Sequence, residues 1–164
     1  MIFLFFILLI AFVTAQRSCG GNCFYSLREK TITIEVNGNI ETEKLDGIES
    51  IDSIETLEIT GNLQEFPEKF TQQFPSLHEV KINTEFIPKR FFSELKIEQI
   101  EIGKDVKMIE ESVFDSCDKL ETVNILSEEI EIKRNSFDGK LIDLIFNGKR
   151  MKTNRISSNG NTKL

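Results

Sequence analysis

From Ile54 to Phe146 apolar residues recur as a triplet at offsets 0, +3 and +5, with polar residues between them. The copies are Ile54-Leu57-Ile59, Leu77-Val80-Ile82, Ile97-Ile100-Ile102, Leu120-Val123-Ile125 and Leu141-Leu144-Phe146. Their starts lie 23, 20, 23 and 21 residues apart. The last two positions of a triplet are two residues apart, so in an extended chain both point to one side and their neighbours to the other. Each copy therefore predicts one short strand with a single apolar side, entered by a turn at the first position. Ile32 and Ile34 in TITIEV extend the pattern to a partial copy 25 residues earlier, in which Glu29 breaks the first position.

One such strand cannot hide its apolar side alone, whereas a stack of copies builds a continuous interior. The segments between strands carry large apolar residues, among them Phe66, Phe70 and Phe74, then Ile87, Phe91 and Phe92, then Ile109, Val113 and Phe114, then Ile132 and Phe137. These fill the wide side of the wedge as core. Pro67, Pro75 and Pro88 all fall in these returns, where a missing backbone donor interrupts no ladder. The pattern predicts a leucine-rich-repeat solenoid, a short parallel β-ladder of about five to six strands with irregular or short helical returns.

The ends differ from the body. Met1 to Ala15 holds fourteen apolar residues, one threonine and no charge, which reads as a secretory signal too short to span a bilayer as a helix. Val13-Thr14-Ala15 offers small residues before a cut at Ala15/Gln16. The segment lacks Lys or Arg near its start, so cleavage and retention as an anchor both stay open. No later segment is apolar enough to cross a membrane as a helix. Residues 147–164 carry Lys149, Arg150, Lys152, Arg155 and Lys163 and no acid, and read as a basic disordered tail.

Charge sharpens this division. The chain has 20 basic and 27 acidic residues, a net −7; without the five bases of the tail the rest carries 15 against 27, or −12. An acidic body argues against nucleic acid as a partner, since phosphate contacts need a basic face.

With strands and returns placed, the chain resembles the BspA-like leucine-rich repeat family of surface and secreted proteins. Two stretches carry the resemblance: CGGNCFYSLREKTITIEVNG from Cys19 to Gly38, and the unit running from Ile109 through Val113-Phe114, Cys117, Leu120 and Val123 to Ile125. The earlier units are degenerate, with Ile51, Phe74 and Glu94 counted at the position of Cys117. The resemblance implies an N-terminal β-hairpin cap over residues 16–40, repeats over 41–146, and an interaction or adhesion role without a chemical reaction or cofactor.

A secretory route makes disulfides available. Cys19 and Cys23, with Gly20 and Gly21 between them, can meet across a tight turn and pin the cap. Cys117 is left over, and its repeat column favours a buried thiol over an intermolecular bridge. His78, within LHEVKI, is the single histidine and reads as a surface residue. It leaves too few ligands for a zinc site at characteristic spacing. No nucleophile, phosphate-loop or dinucleotide motif occurs. Glu110-Glu111 and Glu128-Glu129 are neighbours along the returns, whereas catalytic carboxylates must converge across a cleft. No catalytic residue, metal ligand or cofactor is assigned.

The candidate partner-binding surface is the solvent side of the strands. Its second-offset column holds Thr56, Glu79, Gln99, Thr122 and Asp143, and its fourth-offset column holds Glu58, Lys81, Glu101, Asn124 and Ile145. Mixed acids, amides and threonines suit hydrogen bonding to a protein or glycan ligand. The expected function is a secreted or cell-surface protein-binding or adhesion module; the alternative is a structural, self-assembling secreted protein without a specific foreign ligand. It would associate weakly edge to edge at the C-terminal edge after Phe146, which has no module comparable to the N-terminal hairpin. The basic tail either blunts that edge or pairs with the acidic body of a neighbour.

Overall fold

The computed structural model describes residues 15–65, 67, 70–137, 142–152 and 161–164. The signal reading of residues 1–15 therefore lies outside the described residues except at Ala15, as do Phe66 and Leu141.

The apolar triplets become a β-solenoid of about five turns. An antiparallel meander of β1 (Arg17–Gly20), β2 (Cys23–Arg28) and β3 (Thr31–Asn39) opens it. From β3 onwards the chain stacks in parallel through β4 (Thr56–Glu65), β5 (Glu79–Thr84), β7 (Gln99–Ile102), β9 (Thr122–Ile125) and β11 (Asp143–Phe146). β3 thus belongs both to the N-terminal hairpin and to the first rung, as the partial copy around Ile32 and Ile34 predicts.

Register follows the triplet. Ile32, Leu57, Val80, Ile100, Val123 and Leu144 stand opposite one another along the ladder, and so do Ile34, Ile59, Ile82, Ile102, Ile125 and Phe146. All but Phe146 are buried. Burying one such side chain is worth about 1.5–3 kcal/mol relative to leaving it exposed, and only the neighbouring rung provides the cover. A one-residue slip would turn the whole set outward, which is why the register is strict.

The returns are irregular, with short 3-10 turns at Thr42–Lys44, Ile51–Ser53 and Phe70–Gln73. They stack by their own ladder. Phe114 lies between Phe92 and Phe137 with ring centroids 5.7 and 5.1 Å away and nearly parallel planes, while the Phe92 and Phe114 backbone N–H groups donate to the Val113 and Ser136 carbonyls. The stack corrects one sequence expectation. Counting back from Ile97 puts Glu94 at the position of Cys117, but three residues beyond the stacked rings stand Leu95 and Cys117, both buried. Glu94 instead takes the left-handed turn, like Ser116, and its N–H donates to the Asp115 carbonyl. Of the three residues this unit lacks relative to its 23-residue neighbours, one is lost after the turn, between Leu95 and Ile97.

A second, small sheet has no counterpart in the sequence reading. β6 (Phe86–Ile87), β8 (Met108–Ile109) and β10 (Glu131–Ile132) pair in parallel beyond the main strands. The Thr84 and Ser127 hydroxyls, donating to the Phe86 and Glu129 carbonyls at 2.8 Å, help turn the chain into it.

The tail is the largest correction. Its described part is not disordered: β12 (Lys149–Lys152) folds back antiparallel on β11, and β13 (Thr162–Lys163) adds antiparallel to β10. Asn147 and Gly148, at φ 48° and 72°, form the two-residue loop that an Asn-Gly pair favours in hairpins. Met151 and Leu164 pack against the core, and Arg150 reaches Asp143 at 3.5 Å. Arg150 is therefore paired with the acidic body it follows. Both sheets receive a closing antiparallel strand, so the uncapped edge on which self-association rested is absent at β11.

Candidate functional site

The eight predicted positions do come together. Thr56, Glu79, Gln99 and Thr122 are successive register partners, and so are Glu58, Lys81, Glu101 and Asn124 in the neighbouring column. They stand on the solvent side, alternating with buried Leu57, Val80, Ile100 and Val123. Rungs are spaced by the strand separation of about 4.8 Å, so the face presents a regular polar grid. Thr31 and Thr33 extend the columns onto β3, while Asp143 and Ile145 extend them onto β11.

Much of this grid is internally bonded. Thr33 Oγ1 donates to Glu58 Oε2 at 3.2 Å, and Lys81 Nζ donates to Glu58 Oε1 at 3.2 Å. Thr56 Oγ1 donates to Glu79 Oε2, and Asn124 Nδ2 to Glu101 Oε2, both at 3.4 Å. Lys81 lies among three carboxylates. The hydrogen bond to Glu58 raises its pKa above the ordinary lysine value, opposed by partial burial and supported by the charges of Glu79, Glu58 and Glu101. These contacts pre-order side chains that a partner would otherwise have to immobilise.

At the N-terminal end the Cys19–Cys23 disulfide is formed, with Cα atoms 4.9 Å apart and both residues fully buried. The Glu41 N–H donates to the Cys19 carbonyl, tying the cap to the first return. Cys117 is a buried thiol whose Sγ donates to the Phe92 carbonyl at 2.7 Å. His78 is exposed just before β5, with Nδ1 near the Ser76 carbonyl and its own carbonyl accepting from Glu98.

The acidic pairs behave as surface charges. Arg134 and Lys89 flank Glu111, and the hydrogen bond from Arg134 is the main cause holding its carboxyl below the ordinary range. That keeps it ionised and unlike a general acid. Glu128 and Glu129 line an open groove between the ends of the main strands and the second sheet, near exposed Leu126. No group of three metal-ligating side chains occurs among the described residues. No described helix is long and apolar enough to cross a membrane.

Sequence reasoning missed the groove and an exposed aromatic, Phe24, on the outer side of the N-terminal hairpin. Period-two alternation places Phe24 outward between inward Cys23 and Tyr25, and that was the available signal.

With the repeat geometry in place, comparison with family models is direct: one described as BspA type leucine rich repeat region (6 copies) matches residues 9–120 and 84–159. The chain belongs to this family. BspA-type repeats are often surface- or adhesion-related, and leucine-rich repeats are generally non-enzymatic scaffolds for protein interaction. Neither the curated proteins nor the solved structures contain a match to this BspA-type chain.

Proposed function

We propose that this BspA-type protein is a secreted or cell-surface recognition module that binds a protein partner through the solvent face of its main sheet. The observation carrying this reading is the alignment of Thr56, Glu79, Gln99 and Thr122 beside Glu58, Lys81, Glu101 and Asn124 on one exposed face. A rigid, regularly spaced grid with pre-ordered carboxylates, amides and hydroxyls suits many hydrogen bonds to a partner at low ordering cost. The apolar Met1 to Ala15 supports export, after which the oxidised Cys19–Cys23 pair is stable.

The test is a cross-linked pull-down from extracellular material with the parent and with Glu58→Lys/Glu101→Lys. The two reversals place positive charge beside Lys81, so a partner recognised by this face should lose at least about tenfold in affinity, the equivalent of ~1.4 kcal/mol. An unchanged partner set moves the binding site off the face. Secretion is checked separately, by N-terminal sequencing of the exported protein for a start at Gln16.

A further inference from the structure

Phe24 is 42 % exposed, one of two large apolar side chains in that position among the described residues. It stands on the outer side of β2, directly opposite Ser18 on β1 and Glu35 on β3. The ring packs no core, since Cys23 and Tyr25 on either side supply the inward face. With Gln16, Asn22, Glu35 and Asn37 it lines an open concavity of about 500 Å³. Asn22 and Asn37 are held together by their backbones, the Asn37 N–H donating to the Asn22 carbonyl at 2.8 Å.

The polar groups here differ from those of the central columns. Glu58, Lys81, Glu101 and Asn124 are engaged with one another. No side-chain hydrogen bond or ion pair joins Gln16, Asn22, Glu35 or Asn37 to another described residue. Three amides and a carboxylate thus keep their full capacity around an exposed ring.

We propose that this concavity is a saccharide subsite that takes a single pyranose. A pyranose has an apolar C–H face, which the Phe24 ring covers, and a rim of hydroxyls that both donate and accept. The amides of Gln16, Asn22 and Asn37 do both, and Glu35 accepts from two adjacent hydroxyls. An extended peptide is less well served, because the backbone of β2 is already paired on both sides and a strand added at the free edge of β1 would lie beside the Phe24 ring and not over it. The subsite uses none of the eight central positions and does not depend on the protein-binding reading of that face.

The experiment is saturation-transfer NMR on the full chain as exported by the expressing cell. The probes are the methyl glycosides of glucose, galactose, mannose and N-acetylglucosamine, followed by titration of any that respond. At least one glycoside should receive saturation at its ring C–H protons. Phe24→Ala should weaken its binding at least about tenfold, Glu35→Gln should weaken it, and Phe24→Trp should preserve it. Because Phe24 is exposed, its alanine variant should melt with the parent. If it melts earlier, the tryptophan variant decides: retained binding supports the subsite and lost binding overturns it. No transfer to any glycoside, or transfer indifferent to Phe24→Ala, overturns it. So does a Phe24 ring signal that moves with protein concentration and not with glycoside, which would assign the ring to a self-contact.

Discussion

The Asn83 carboxamide lies across Gly103, so close that a Cβ on the glycine would fall 2.2 Å from Oδ1 and 2.6 Å from the asparagine's own Cβ. Asn83 is held there from both ends of its amide, accepting the Asp105 N–H at 2.9 Å and donating to Asp105 Oδ2 at 2.7 Å. The pair fixes the turn by which the chain leaves β7 for the second sheet. Gly103→Ala forces the asparagine out of place and should cost about 1–3 kcal/mol, the range of overpacking. In Asn83→Gly/Gly103→Ala the clash is removed, the asparagine's Cβ included, so a denaturant double-mutant cycle should give a smaller loss than the sum of the singles. Strict additivity would show that the two residues do not share this site.

The disulfide should act locally. Cys19 and Cys23 enclose a very short loop, so Cys19→Ala/Cys23→Ala, which buries no new polar group, is expected to lose about 2 kcal/mol, at the low end for disulfides. Hydrogen exchange should quicken across β1 to β3 and stay unchanged in β9 and β11. Equal acceleration in every rung would make the cap a global determinant.

Removing residues 149–164 takes away both closing strands and leaves β11 and β10 as bare edges. Such edges pair with other chains. The truncated protein should sediment as dimers and larger species where the full chain does not, and a truncated monomer would show that the tail is dispensable as a cap.

Two phenylalanines at opposite extremes of burial should respond differently. Phe114 is buried between two stacked rings, and Phe114→Ala is expected to cost about 3–5 kcal/mol. Phe24→Ala, at the surface, should stay within about 0.5 kcal/mol of the parent. Chemical denaturation of both variants checks the contrast.

Acid should loosen the solenoid from its returns. The hydrogen bond from Arg134 lowers the pKa of Glu111, and that from Lys133 lowers the pKa of Glu131. A carboxyl depressed in the folded state stabilises above its unfolded value, about 4.3 for glutamate, and loses that contribution as pH falls through the folded value. Melting temperature should therefore drop below about pH 4.3, and less steeply in Glu111→Gln/Glu131→Gln. An identical acid slope in parent and variant would remove these two groups from the explanation. Lys81 has the opposite sign: its raised pKa adds stability that is lost as pH rises through the folded value.

The strand positions and the two polar columns were legible in the residues themselves. Alternation with period two and a return every 20 to 23 residues decide which side chains face inward, and stacking then has one register that buries them all. Cys19 and Cys23 were legible for the same reason, being close along the chain. What only the tertiary structure decided depends on segments that meet after folding. Two-residue strands such as Met108–Ile109 are too short to show a period and exist because the stacked main ladder brings them into line. Leu95 replaced Glu94 because the ring of Phe92 had to lie on that of Phe114, wherever the short unit took up its slack. The basic tail became a cap because its Asn147-Gly148 turn lays β12 on an edge whose Asp143 attracts Arg150, a match between partners that no composition of the tail alone contains.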